Sequence, residues 1–176
     1  SISNVIFPVL SKSQDDLTRM RTICRRSIRT STYLLAPFLI GLIAVANEFV
    51  QVILSEKWLP CVPYLQILTL VFLVRPLTTT CQQAIMSTGR SDITLKIMIT
   101  VNVTDVVLLL VAVFAMKRVL MIAVGALLTE IVSLGLFMKY VKKCIGYTYK
   151  EQLLDIGPSL LVAVSMGIIV YCIGLL

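Results

Sequence analysis

Apolar residues run along this chain in long blocks separated by short polar ones. A helix needs about 20 predominantly apolar residues to cross a hydrocarbon core of about 30 Å. Five blocks meet that length: residues 32–54, 62–86, 95–116, 119–138 and 156–176. A shorter apolar piece, 2–10, reads as the exit end of a further helix. Period-2 alternation is absent from the blocks, which favours helices over the alternating strands of a membrane barrel. Between the stub and the first block, residues 11–31 place Leu17, Met20, Ile23 or Cys24, and Ile28 at helical spacing with arginines between them. That pattern predicts an amphipathic segment on the cytoplasmic surface, against anionic headgroups or simply solvated. The fold class expected is all-α, a polytopic transmembrane helix bundle.

Composition points the same way. Of the 176 residues 58% are hydrophobic and 14% charged, and mean hydropathy is +0.95. Soluble domains are about 45–50% apolar and about 25% charged, so a soluble enzyme is a poor fit.

The net charge of +7 is distributed by side. Alternate connections carry twelve basic residues on one face (Lys12, Arg19, Arg21, Arg25, Arg26, Arg29, Arg90, Lys96, Lys139, Lys142, Lys143, Lys150) and three on the other (Lys57, Lys117, Arg118). The positive-inside rule makes the first face cytoplasmic. Basic residues dispersed among loops do not form a nucleic-acid-binding module. Trp58 falls in the external connection, and Tyr140, Tyr147 and Tyr149 at the opposite boundary, as aromatic belts do.

Several chemistries find no support in the pattern. There is no His, and the five cysteines are at least twenty residues apart, so neither zinc spacing nor a disulfide framework is present. Without His no Ser–His pair exists, and there is no phosphate-binding G-x-x-x-x-G-K-[ST] loop. The chain reads as a non-enzyme with no cofactor and no metal. It starts at Ser1 without Met and ends in an apolar run, which reads as a fragment.

Polar residues at bilayer depth are costly and therefore candidates for function. Arg75 sits mid-span before Pro76, followed by Thr78, Thr79, Thr80, Gln82 and Gln83, so half of that helix is polar. An arginine facing a wet cavity suits a phosphate or pyrophosphate through bidentate charge-assisted bonds; the alternative is a pair with a carboxylate of another helix. Asp105, on one face with Asn102, and Glu130, near Thr129 and Ser133, either pair with Arg75, carry a proton or sodium ion, or make an interhelical hydrogen bond. Pro37 with Gly41 permits a bend in the first span.

Short strings in order resemble a known family. They are Val5-Ile6-Phe7-Pro8-Val9-Leu10-Ser11, then Pro37 to Ala46, Glu56-Lys57-Trp58, Pro63 to Leu68, and Gly89-Arg90-Ser91-Asp92 with Leu95-Lys96. Together they resemble the Wzx/WzxC-like lipopolysaccharide and capsule flippases of the MOP (multidrug/oligosaccharidyl-lipid/polysaccharide) superfamily. One departure is Ser55, where that family more often has glycine.

The resemblance implies part of the C-terminal bundle of a MOP/MATE-like transporter of a dozen or more helices, completed by a missing N-terminal bundle of the same polypeptide. It implies the bacterial inner membrane, lipid contacts, and alternating-access transport of a polyprenyl-pyrophosphate-linked oligosaccharide for lipopolysaccharide, O-antigen or capsule. Arg75 would contact the anionic head group, with Thr79, Gln82 and Gln83 along the same path and Asp105 and Glu130 as candidates for ion coupling. The alternatives are a cation-coupled multidrug antiporter and a non-transporting membrane scaffold.

Overall fold

The computed structural model describes residues 17–116 and 119–174. The apolar piece at 2–10, residues 11–16 of the amphipathic segment, Lys117–Arg118 and residues 175–176 lie outside them.

Among the described residues six α-helices follow one another: α1 (Leu17–Ala44), α2 (Ala46–Leu54), α3 (Val62–Ser87), α4 (Ser91–Val111), α5 (Leu120–Ile145) and α6 (Tyr149–Gly174). A 3₁₀ turn, Glu56–Cys61, precedes α3, and a π turn, Ala112–Met116, closes α4. Among the described residues there is no strand. Five helical segments are long and apolar enough to cross a membrane. The shortest long helix, α4, has 21 residues, or about 31 Å at 1.5 Å per residue.

The helices overrun the apolar blocks. A helix satisfies its own backbone, so it stops at a breaker rather than where hydropathy falls. Thus α5 continues seven residues past Met138 to Ile145, where Gly146 takes a left-handed cap (φ 73°) and donates its N–H to the Lys142 carbonyl. In the opposite sense, the span expected at 32–54 is interrupted at Val45. The Val45 and Phe49 amides still reach the carbonyls four residues back, so the break is one residue wide.

The segment expected as a separate surface-lying piece is different from residue 17 onward. It is the first half of α1, because no proline or glycine separates it from the span. Its apolar stripe faces protein: Met20 and Cys24 are buried with Ala84 of α3 and Ile145 of α5, and Ile28 joins the main core. That core also takes Leu77, Cys81 and Ile85 of α3, Ile97 of α4, Phe137 and Val141 of α5, and Ile156 of α6. A smaller cluster, Ala46, Val50 and Val62 with Leu65, packs at the other end.

These clusters fix the directions. The start of α1 lies with the ends of α3 and α5, so α1 runs antiparallel to both. Arg29 meets Asp155 near the start of α6, and Gly167 meets Ile40 further along, so α1 and α6 are parallel neighbours. The packing order is α6, α1, α3, α5, α4. Large exposed apolar side chains, among them Leu34, Phe38, Phe72, Val103, Ile131 and Leu161, cover the outside, as a protein solvated by lipid requires.

Candidate functional site

Three helices enclose a polar cavity of about 150 Å³. From α3 come Arg75, Thr78, Thr79 and Gln82; from α4, Met98, Val101 and Asn102; from α5, Glu130, Ser133 and Phe137. The spacing explains the wall: residues 75, 78, 79 and 82 recur every three or four positions, one face of a helix. Pro76 lacks the N–H that would bond one turn back, yet α3 continues through it. The Thr79 hydroxyl donates to the carbonyls of Arg75 (3.0 Å) and Pro76 (3.1 Å), and Thr80 donates to Pro76 (2.8 Å). These threonines tie their hydroxyls to the helix around the proline.

The two charges on the wall do not pair with each other. The Arg75 guanidinium stands 6.0 Å from the centre of the Phe72 ring, within cation–π range, and has no ion pair among the described residues. Glu130 Oε1 is buried without a hydrogen-bond partner, as is Thr78 Oγ1. Unpartnered polar atoms at membrane depth are expensive unless something else, water or a ligand, meets them.

Of the residues singled out in the sequence, Arg75, Thr79, Gln82 and Glu130 therefore converge. Gln82 also points its amide at the Met98 sulfur, 3.6 Å away. Gln83, one position on and rotated by about 100°, is not part of the wall. Asp105 is not either: its Oδ1 accepts the Thr129 hydroxyl at 3.1 Å, an interhelical bond between α4 and α5.

A second polar cluster closes the end of the bundle where α1 and α6 begin. The Asp155 carboxylate is fully buried and accepts Arg25 Nε (2.7 Å) and Nη2 (2.9 Å), Arg29 Nε (3.0 Å) and Nη2 (2.6 Å), and the Tyr147 hydroxyl (2.8 Å). Arg21 pairs with Glu151, whose other oxygen takes the Thr148 amide at 3.1 Å. Thr148-Tyr149-Lys150-Glu151 thus supplies the glutamate half of a capping box at the start of α6. Gln152, also buried, donates to the Tyr147 carbonyl at 3.0 Å. Burial, then the bond to Asp155, pushes the Tyr147 hydroxyl well above the ordinary tyrosine range, so it stays a donor.

Sequence reasoning missed this cluster because it placed Glu151 and Asp155 in a loop. Two signals were present: arginines at 21, 25 and 29, one face of a helix, and the T-x-x-E string that starts α6. No group of three or more metal-ligating side chains occurs among the described residues.

Comparison with known proteins agrees with a membrane protein of surface-polymer synthesis. A family model described as polysaccharide biosynthesis protein matches residues 1–63. The lipopolysaccharide biosynthesis protein WzxC of Escherichia coli (strain K12) is 28% identical over 96% of this chain and 36% of its own length. An uncharacterized membrane protein in the cps region of Klebsiella pneumoniae is 33% identical over 54% of this chain and 20% of its own. The teichuronic acid biosynthesis protein TuaB of Bacillus subtilis (strain 168) is 30% identical over 52% of this chain and 19% of its own. The chain spans little more than a third of the first of these relatives and about a fifth of the other two. No solved structure matches it. With five membrane-length helices among its described residues and these matches, the chain is a multi-pass membrane protein that is similar to polysaccharide biosynthesis proteins.

Proposed function

We propose that the chain is part of the C-terminal bundle of a flippase that carries a polyprenyl-pyrophosphate-linked oligosaccharide across the bacterial inner membrane. The observation that carries this reading is the convergence of Arg75, Thr79, Gln82, Asn102, Glu130 and Ser133 on one intramembrane cavity, with Arg75 paired to no carboxylate among the described residues. An unpaired guanidinium in a low-dielectric site is a strong binder of phosphate oxygens. Hydroxyls and amides around it suit sugar hydroxyls. No covalent bond changes: the work is a shift between inward- and outward-open populations, with the N-terminal bundle of the whole protein supplying the facing wall. The similarity to WzxC, which runs over 96% of this chain and 36% of WzxC, supports the assignment.

Glu130 is the better placed of the two acids for coupling to a proton or sodium ion, because it faces the cavity with a free oxygen while Asp105 is hydrogen-bonded to Thr129. Glu130 beside Phe137 also favours a second reading, a cation-coupled multidrug antiporter of the same superfamily. A scaffold without transport accounts for Arg25, Arg29 and Asp155 as pairing partners, but not for an uncompensated arginine on a cavity. The test is surface polysaccharide in cells whose full-length protein carries Arg75→Ala. Loss at normal protein level supports the flippase; full surface polymer removes it. Drug resistance that depends on Glu130 would favour the antiporter.

A further inference from the structure

At the far side of the bundle from the cavity, α1 and α6 leave a groove of about 460 Å³ lined by Arg29, Thr30, Tyr33, Asp155, Pro158 and Ser159. We infer that this groove is a binding site for one anionic glycerophospholipid of the cytoplasmic leaflet, its phosphate held by Arg29.

The argument begins with charge. Two guanidiniums, Arg25 and Arg29, converge on the single carboxylate of Asp155. That carboxylate already accepts five hydrogen bonds, four from the arginines and one from Tyr147, so it has no lone pair to spare. Tyr147 is a neutral donor. The cluster therefore keeps one positive charge that no carboxylate among the described residues offsets, and the neighbouring pair of Arg21 with Glu151 is balanced within itself. Exposure locates the surplus. The Arg25 side chain is 37% exposed and that of Arg29 58%, so Arg29 is the one that opens onto the groove. Arginine carries five N–H donors, and Arg29, which lines the groove, spends two on Asp155, leaving three for a ligand. Arg26, one turn before Thr30, is exposed as well.

Depth and surroundings select a lipid over a free anion. Arg29 is the last cation before the apolar run of α1, at the end that the distribution of basic loops marks as cytoplasmic. Tyr33 lies about 6 Å deeper along the helix and is 67% exposed, an amphipathic ring at headgroup level. Beyond it Leu34 and Phe38 of α1, with Leu161 and Val162 of α6, are exposed and apolar. A ligand that fits has a negative phosphate at Arg29, polar oxygens for Thr30 and Ser159, and hydrocarbon running toward the bilayer centre. The groove volume is within the usual range for small-ligand sites. Because α1 and α3 stand between this groove and the cavity of Arg75, the inference does not depend on the proposed transport reaction.

The experiment uses the full-length protein purified in mild detergent from membranes, with retained phosphatidylglycerol and phosphatidylethanolamine measured by native mass spectrometry. The wild type should keep phosphatidylglycerol in preference by about fivefold, the effect of one interfacial basic residue. Arg29→Gln should abolish that preference, and Arg29→Lys should keep most of it. Thr30→Trp fills the groove from an exposed position without touching the ion pairs, and should also abolish it at unchanged melting temperature. Equal retention of the two lipids by the wild type, undiminished preference in both Arg29→Gln and Thr30→Trp, or displacement of phosphatidylglycerol by a polyprenyl pyrophosphate in this groove would each overturn the inference.

Discussion

Arg25 of α1 grips Asp155 of α6 with two nitrogens, Nε to Oδ2 at 2.7 Å and Nη2 to Oδ1 at 2.9 Å, across 130 residues of sequence. The pair joins two parallel helices near their N-terminal ends, and Arg29 and Tyr147 complete it. Removing the carboxylate is therefore expected to cost more than removing one donor. Asp155→Ala leaves two guanidiniums facing each other, but both are partly exposed and regain water, so the cost expected is about 2–3 kcal/mol. Tyr147→Phe removes one hydrogen bond and should cost about 1 kcal/mol. Thermal unfolding in detergent checks both; equal effects would show that the carboxylate is not the centre of the cluster.

Further along the same seam the two helices touch through a glycine. A Cβ on Gly167 would sit 2.5 Å from Ile40 Cγ2, closer than real atoms approach. Gly167→Ala should destabilise by about 1–3 kcal/mol through overpacking, and Ile40→Ala in the same chain should recover part of the loss. Simple additivity of the two costs, measured by melting temperature, would mean the helices are not in contact there.

Ser55 is the one non-glycine residue with positive φ among those described, at φ 79° and ψ 162°. That region is nearly glycine-only, and a side chain held there costs about 1–3 kcal/mol. The departure of Ser55 from the family pattern thus falls where the backbone favours glycine. Ser55→Gly should raise the melting temperature. Ser55→Val should lower it, and the reverse order would contradict the turn geometry.

Much of this architecture was legible in the chain, for a physical reason: the bilayer imposes a length of apolar sequence on every crossing. The five spans follow from that length, and their helical nature from the absence of period-2 alternation. Helix ends were less legible, because Asp155 read as loop and Arg25 as part of a separate amphipathic segment, when both belong to long helices that extend beyond the apolar blocks. The interruption at Val45 carries no proline or glycine of its own, so nothing local announces it. In the cavity, a polar half of α3 was legible from Arg75, Thr78, Thr79, Thr80, Gln82 and Gln83, but not which of them share one wall, since Gln83 is turned off it. Which acid faced it was not, since Asp105 and Glu130 look alike in sequence, and only packing puts Glu130 on the cavity wall and Asp105 against Thr129.

That difference predicts a ranking. Glu130→Gln in the full-length protein should lower transport several times more than Asp105→Asn, and should weaken its dependence on an ion gradient. Asp105→Asn keeps an acceptor for Thr129 and should be nearly neutral in stability. Surface polysaccharide in cells with and without the gradient checks both; a larger effect at Asp105 would reassign the coupling residue.

The most direct measurement is translocation itself. Full-length protein in proteoliposomes, supplied with a polyprenyl-pyrophosphate-linked oligosaccharide, is assayed for arrival of the lipid-linked sugar in the opposite leaflet. Loss of a charge-assisted phosphate contact predicts at least about a tenfold slower rate for Arg75→Ala. Arg75→Lys, which keeps the charge but not the planar fork, should lie between that variant and the wild type. A rate for Arg75→Ala equal to the wild type, at equal protein incorporation, would contradict the account.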